Sequence, residues 1–265
     1  GTIDDFCLSE VIYPFFARVI DKKKHPLECI KFQDIPQDVK AMLTVIPHYE
    51  GDVCSTLFDA FEADIKILFD HGFILLELLG VIANYILNKS DACQKYITAK
   101  YTSVYIDEYQ DSSESQHALF LKLLEMGLVG VAVGDIQQSI YAWRGSDPKF
   151  INQLINTTHI FEHHTVNINH RCHPSIINYS NRIFDSVCDL LPTDEIRVYR
   201  RSYSGTQVDV VNKINESINL AIQSDCAKSY SEIGILVRNN LSLEFLANGL
   251  NVPFRIFDED PLAIR

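Results

Sequence analysis

Two short apolar runs, each closed by an acidic residue, constrain this 265-residue chain more than any other feature in it. Val104-Tyr105-Ile106 stops at Asp107-Glu108, and residues 128–133, L-V-G-V-A-V, stop at Gly134-Asp135. The stretch between them, about 115–126, has the apolar spacing of a helix. Strand, helix and strand in this order predict parallel α/β structure. Continuous apolar strands of this kind belong to sheets covered on both faces. Ligands of open α/β sheets bind at the carboxyl ends of the strands, which is where Asp107-Glu108 stands. One carboxylate there can hold Mg²⁺ through its hydration shell, and its neighbour can take a proton from an attacking water. On these two residues alone, a strand-to-helix turn capped by acids is the simpler reading.

The flanks are patterned differently. Residues 8–21 and 56–70 place apolar side chains every three to four positions (Leu57, Phe58, Phe61, Ile65, Leu68, Phe69), and 72–98 continue the pattern, so helices are expected. Between them, 25–53 hold Pro26, Pro36, Pro47 and Gly51 and read as irregular or short helical connections. The longest apolar run, 73–87, is interrupted by Glu77 and Asn84 and is too short to span a bilayer, so it reads as a buried helix. Beyond residue 163 a second α/β unit is expected. Its strands are placed at 165–168, 208–211 and 233–237, its helices from Pro174 to about residue 191 and over 241–250.

Composition narrows the function. Apolar residues are 47% of the chain, enough for a sizeable core, which excludes a disordered acidic tail. The formal charge of −12 argues against a compact basic module that grips phosphates. The acidic excess is greatest over 101–195, with 12 acidic and 5 basic side chains. Seven cysteines occur with no C-x-x-C spacing, so neither a disulfide framework nor a zinc ribbon is expected, and a reducing cytoplasm fits. His170 and His173 flank Cys172, but no second Cys/His pair stands at zinc-binding spacing. The opening residues, GTIDDFC, carry neither a signal-peptide pattern nor an initiator Met, and read as the start of a fragment.

Three longer blocks decide between the readings. Residues 105–112 are Y-I-D-E-Y-Q-D-S, 134–146 are G-D-I-Q-Q-S-I-Y-A-W-R-G-S, and 169–174 are N-H-R-C-H-P. In this order and spacing the chain resembles the superfamily 1 DNA helicases of the UvrD/Rep/PcrA group. The blocks match that group's Walker B motif (D-E-[FY]-Q-D), third motif (G-D-x-x-Q-S-I-Y-x-[FW]-R-G) and fourth motif (N-[YF]-R-S). Residues 1–7 resemble the T-[IF]-H-x-F element upstream of the group's helical insertion, and 234–238 and 252–257 its strand–helix–strand after the fourth motif. Y-I-D-E-Y-Q-D-S with G-T-x-D-x-F upstream is also similar to the helicase component of Gabija-type anti-phage systems.

The resemblance implies roles residue by residue. Asp107 would coordinate the Mg²⁺ of ATP and Glu108 would activate water. Gln138 would contact the γ-phosphate, and Arg171 would act on it as an arginine finger. His170 stands where the group has an adenine-stacking Tyr or Phe, and a histidine there would stack more weakly and with a pH-dependent charge. Trp143 would stack on a base of single-stranded DNA, Arg144 would link the DNA and ATP sides, and Thr2 would touch the DNA backbone. Trp143, the chain's one tryptophan, also suits a core, and Arg171 also suits a plain surface cation.

The implied architecture is α/β with two partial RecA-like (P-loop NTPase) domains built on parallel sheets. The first covers 1–162 and includes a helical 1B-like insertion over about 9–98; the second covers 163–265. ATP and Mg²⁺ are the implied cofactors and single-stranded or duplex DNA the implied partner. A protein partner, a nuclease or repair factor, is left open, and no membrane is involved. No G-x-x-x-x-G-K-[ST] loop occurs in the 265 residues. The chain therefore reads as the middle of a helicase that is inactive alone. The alternative is a catalytically silent, helicase-like scaffold that binds DNA or protein.

Overall fold

The computed structural model describes residues 1–20, 26–48, 58–139 and 147–256. They fall into two compact units, Gly1–Thr165 and Val166–Arg265.

The first unit is a helical layer joined to two small parallel sheets. Helix α1 (Ile3–Phe6) starts at Thr2, whose hydroxyl accepts the Asp5 N–H at 3.1 Å while the Asp5 carboxylate accepts the Thr2 N–H at 3.2 Å, a reciprocal cap. The chain continues through a π-helical piece, Cys7–Ile12, into α2 (Tyr13–Val19). Short α3 (Gln37–Lys40) precedes α4 (Phe58–Asp70), which buries Phe58, Phe61, Ile65, Leu68 and Phe69 on one face, as its spacing predicts. The apolar run 73–87 is not one helix. Its first three residues form β2 (Phe73–Leu75), paired in parallel with β1 (Glu28–Ile30) inside the segment expected to be irregular. Helix α5 (Leu79–Lys89) takes the rest and is buried on every side, hence its apolar residues all round.

Helices α6 (Asp91–Lys100) and α7 (Glu114–Glu125) complete the layer. Asn84 ties α5 to α7: its buried amide donates to Gly80 O at 2.8 Å and to Ser115 O at 2.9 Å. Gly80 makes this approach feasible, because a Cβ there would collide with the Ser115 side chain. β3 (Ser103–Ile106) and β4 (Val129–Ala132) pair in parallel with α7 as the crossover, in the register Ser103↔Val129 to Ile106↔Ala132. The strand–helix–strand expectation holds within a residue or two at each end. The findings bear out a mixed α/β chain with short parallel sheets.

The second unit departs from expectation. Residues 208–211 are the first turn of a helix, α10 (Gln207–Gln223), rather than a strand. Thr206 caps it reciprocally with Asp209, and Val211, Asn215 and Ile218 fall on one buried face at helical spacing. The three β-branched residues Val208, Val210 and Val211 are overridden by that cap and period. Residues 165–168, 233–237 and 252–256 carry no strand pairing among the described residues, and Val166 and Leu236 stand exposed. A strand without a partner has no ladder to satisfy its backbone. Helix α9 (Pro174–Phe184) stops short of residue 191 because Asp185 turns its carboxylate onto the Val187 N–H at 2.9 Å. Helix α11 (Asn240–Gly249) is docked on α10 by Asn215, which donates to Gly249 O at 2.9 Å and accepts from Asn251 N–H at 3.0 Å.

Among the described residues no helix is long and apolar enough to cross a membrane, and the six described cysteines carry no disulfide.

One buried carboxylate organises the loop before α4. Asp64, fully buried, accepts Thr44 N–H at 2.9 Å, Thr44 Oγ1–H at 3.0 Å, Val45 N–H at 2.7 Å and Ile46 N–H at 2.9 Å. Burial pushes its pKa up, but these hydrogen bonds outweigh burial and hold it below the ordinary value. A depressed folded-state pKa gives stability that is present above the unfolded value and lost as pH falls through the folded one. Asp64→Ala is expected to cost about 3 kcal/mol, read from urea unfolding midpoints. Between about pH 4 and 2, Asp64→Asn should show a shallower loss of stability than the parent chain.

Candidate functional site

The two acidic strand ends lie side by side because parallel pairing runs past the last residues of β3 and β4. Val133 N–H donates to Ile106 O at 2.8 Å, and Tyr109 N–H donates back to Val133 O at 2.8 Å. Glu108 sits between these two bonds at φ 53°, ψ 40°, the left-handed region. A residue with a Cβ holds that conformation at a cost of about 1–2 kcal/mol. It persists here because the ladder fixes the chain on both sides, and strain of this kind gathers at functional sites. Asp107 and Glu108 are both exposed, and Asp107 Oδ1 accepts the Glu108 N–H at 2.9 Å.

Behind them lies Gln110, 1% exposed. Its Nε2 donates to Glu108 Oε2 at 2.7 Å and, at 3.4 Å, to Asp111 Oδ2; its Oε1 accepts the Asp135 N–H at 2.9 Å. Asp135 in turn caps the tight turn Ile136–Gln138: Oδ1 accepts the Gln137 N–H at 2.9 Å and Oδ2 accepts from Gln138 Nε2 at 2.8 Å. Asp107, Glu108 and Gln138 thus share one end of one sheet. Gln110 was not singled out from the sequence, and Asp135 was read there only as the acid that closes the second apolar run. The available signal was a glutamine two residues after the acidic pair, a polar side chain facing the core.

The floor of the site is aromatic. Tyr109 is fully buried, and its hydroxyl lies 2.7 Å from His117 Nδ1 on α7. His117 stacks on Phe150 with ring centroids 4.8 Å apart, within α8 (Lys149–Asn156). Burial pushes the His117 pKa down, against a hydrogen bond that the ring donates to Gln153, so the fold favours the neutral ring.

The other sequence candidates are not part of this hydrogen-bonded unit among the described residues. Thr2 spends its hydroxyl on the α1 cap. His170 and Arg171 are exposed in the second unit, in a loop where Asn169 Oδ1 accepts the Arg171 and Cys172 N–H groups at 3.0 Å each. His173 caps α9, accepting the Ser175 N–H. Trp143 and Arg144 lie outside the described residues. Among the described residues no three His, Cys, Asp or Glu converge on a metal position. The donor set suits an ion that takes a single exposed carboxylate, Asp107, and fills its remaining positions with water and phosphate oxygens, as Mg²⁺ does.

Comparison with known proteins sets this geometry in a family. The UvrD/REP helicase N-terminal domain matches residues 39–159, which include the acidic strand ends and the turn after β4. Over residues 39–159 the chain is similar to the UvrD/REP helicase family. The chain is 36% identical over 196 residues to the Gabija protein GajB of Bacillus cereus (strain VD045), a match covering 68% of the chain and 34% of GajB. It is 27% identical over 263 residues to an ATP-dependent helicase/nuclease protein of Streptococcus pyogenes serotype M49 (strain NZ131), covering 89% of the chain and 21% of that protein. A 34% identity over 193 residues links it to the corresponding helicase/nuclease protein of Streptococcus mutans serotype c, 70% of the chain and 15% of the relative. The chain therefore spans about a third or less of these UvrD-like relatives.

Tyr109→Phe is expected to cost about 1–2 kcal/mol, because it leaves the buried His117 Nδ1 without its hydroxyl partner. A His held neutral by the fold makes stability fall as pH drops below about 6.5. Unfolding midpoints at pH 7.5 and 5.5 should therefore converge in His117→Gln relative to the parent chain.

Proposed function

We propose that this chain supplies the hydrolytic centre and part of the DNA-contacting surface of an ATP-dependent translocase or helicase that acts on single-stranded DNA. The observation that carries the reading is the hydrogen-bonded unit made by the β3 end and the turn after β4, with Glu108 held in the left-handed region between them. An acid that only capped a turn would need no such restraint.

On this reading Asp107 holds the Mg²⁺ of ATP, and that ion supplies charge neutralisation at the phosphates. Glu108 orients the attacking water and takes its proton. Gln138, anchored by Asp135, contacts the γ-phosphate and reports its departure. Arg171 brings positive charge to the same phosphate, and His170 stacks on the adenine. Trp143 stacks on a DNA base, a sequence-tolerant contact of about 1–3 kcal/mol, with Arg144 and Thr2 beside it on the DNA. The fold implied is a pair of partial RecA-like domains, divided near residue 162, with a helical 1B-like insertion over about residues 9–98 of the first. The names of the helicase/nuclease relatives add a nuclease as the partner to look for. No Gly-Lys pair occurs in the 265 residues, so residues 1–265 alone are expected to turn over no ATP.

The test is ATP turnover by the full-length protein with and without single-stranded DNA. Glu108→Gln is expected to lower kcat at least about 100-fold. Trp143→Ala should lose DNA stimulation while keeping basal turnover. Wild-type turnover in Glu108→Gln would refute the hydrolytic role, and full DNA stimulation in Trp143→Ala would refute the stacking role.

A further inference from the structure

We propose that Gln110 is a positioning residue for hydrolysis, whose amide sets the Glu108 carboxylate and ties it to the turn that carries Gln138. The proposal rests on the reading of Glu108 as the residue that activates water.

Three observations carry it. The first is burial with full use of the amide. Gln110 is 1% exposed, and both ends of its side-chain amide are engaged. A buried amide is costly unless satisfied, and among the described residues this one is satisfied by the two elements the chemistry would need together. The second is directionality. The Nε2 end faces the carboxylates of Glu108 and Asp111, and the Oε1 end faces the Asp135 N–H. A flipped amide would set oxygen against two carboxylates and NH₂ against an N–H, so the network admits one orientation. The third is the space reserved for it. A Cβ on Gly134 would lie 2.6 Å from Gln110 Oε1 and 3.1 Å from its backbone N, so the glycine leaves room for this amide.

The consequence is a short relay. Gln138 is bonded to Asp135 at 2.8 Å, the Asp135 backbone to Gln110 at 2.9 Å, and Gln110 to Glu108 at 2.7 Å. A shift of the turn at Gln138 therefore reaches Glu108 through one amide. Among the described residues this is the bond that holds the exposed Glu108 carboxylate, so removing the amide frees it to leave the position from which it would meet water.

The full-length protein tests this by ATP turnover with single-stranded DNA present. In Gln110→Met, which keeps the volume and removes both bonds, kcat is expected to fall about 10- to 100-fold while KM for ATP stays within about threefold. Gln110→Glu keeps an acceptor for the Asp135 N–H but sets like charge against Glu108, and should lose at least as much. Gly134→Ala alters neither side chain yet crowds the amide, and should lower kcat in the same direction. In a Glu108→Asp background, whose shorter carboxylate sits out of reach of Nε2, Gln110→Met should cost less than about twofold more. A merely structural role would instead give the same loss in both backgrounds. That result, or a kcat within about twofold of the parent in the folded Gln110 variants, overturns the proposal. Unfolding midpoints identify the folded variants, and the three routes to the same amide keep one available. Wild-type turnover in Glu108→Gln would overturn the hydrolytic reading itself and the proposal with it; loss there with unaffected Gln110 variants overturns the positioning role alone.

Discussion

The site depends on a backbone constraint, the pair of ladder bonds that extend β3 and β4 beyond their last regular residues. Val133 donates to Ile106 and Tyr109 donates to Val133. Between those bonds the chain carries two residues, Asp107 and Glu108, where a regular parallel ladder has one, and it takes up the extra residue by placing Glu108 in the left-handed region. A two-stranded parallel sheet has little stability of its own. This one is held by its crossover helix α7, which Asn84 and Ser115 bind to the buried helix α5. The acidic pair is therefore positioned from the helical layer outward: α5 locates α7, α7 locates the sheet, and the sheet fixes the turn.

The connections that matter in both units are buried side-chain amides, Asn84 through its NH₂ alone and Gln110 and Asn215 through both ends. Asn84 couples two helices, Gln110 couples two loops, and Asn215 couples α10 to the residues after α11. An amide buried with donor and acceptor both engaged specifies one arrangement, since any slip leaves a buried polar group unpaired at about 1–3 kcal/mol. Apolar contacts are more forgiving of such slips. This division of labour explains why so few polar residues are buried and why they sit where elements meet.

Legibility from sequence followed the range of the interactions. The strands 103–106 and 129–132 and the helix between them were readable, because their apolar runs and capping residues are local. The β1–β2 pair was not, since three-residue strands far apart in the chain carry too little period to register. Residues 208–211 misled for the opposite reason: four β-branched and acidic residues looked like a strand until the Thr206–Asp209 cap and the Val211–Asn215–Ile218 face were weighed over the longer window. Asp107, Glu108 and Gln138 were legible through their blocks, and the structure brings these three to one sheet end. The role of Gln110 was not legible, because whether a glutamine is buried and two-handed is a property of the packing around it.

The acidic balance of the chain gains a meaning at this sheet end. Asp107, Glu108, Asp111 and Asp135 are gathered within two adjoining turns, and among the described residues the groups that meet their carboxylates are neutral N–H donors: the Glu108 and Gln137 backbones and the Gln110 and Gln138 amides. Neutral donors orient carboxylates without cancelling their charge. A site built this way keeps its negative potential for a cation delivered from outside, which suits an ion that arrives with a nucleotide and leaves with it. The same economy bears on DNA. A chain of net charge −12 gains little from phosphate contacts over its surface as a whole. Base stacking by an aromatic side chain is indifferent to that charge, so the proposed contact of Trp143 with DNA is the kind of grip such a chain can maintain.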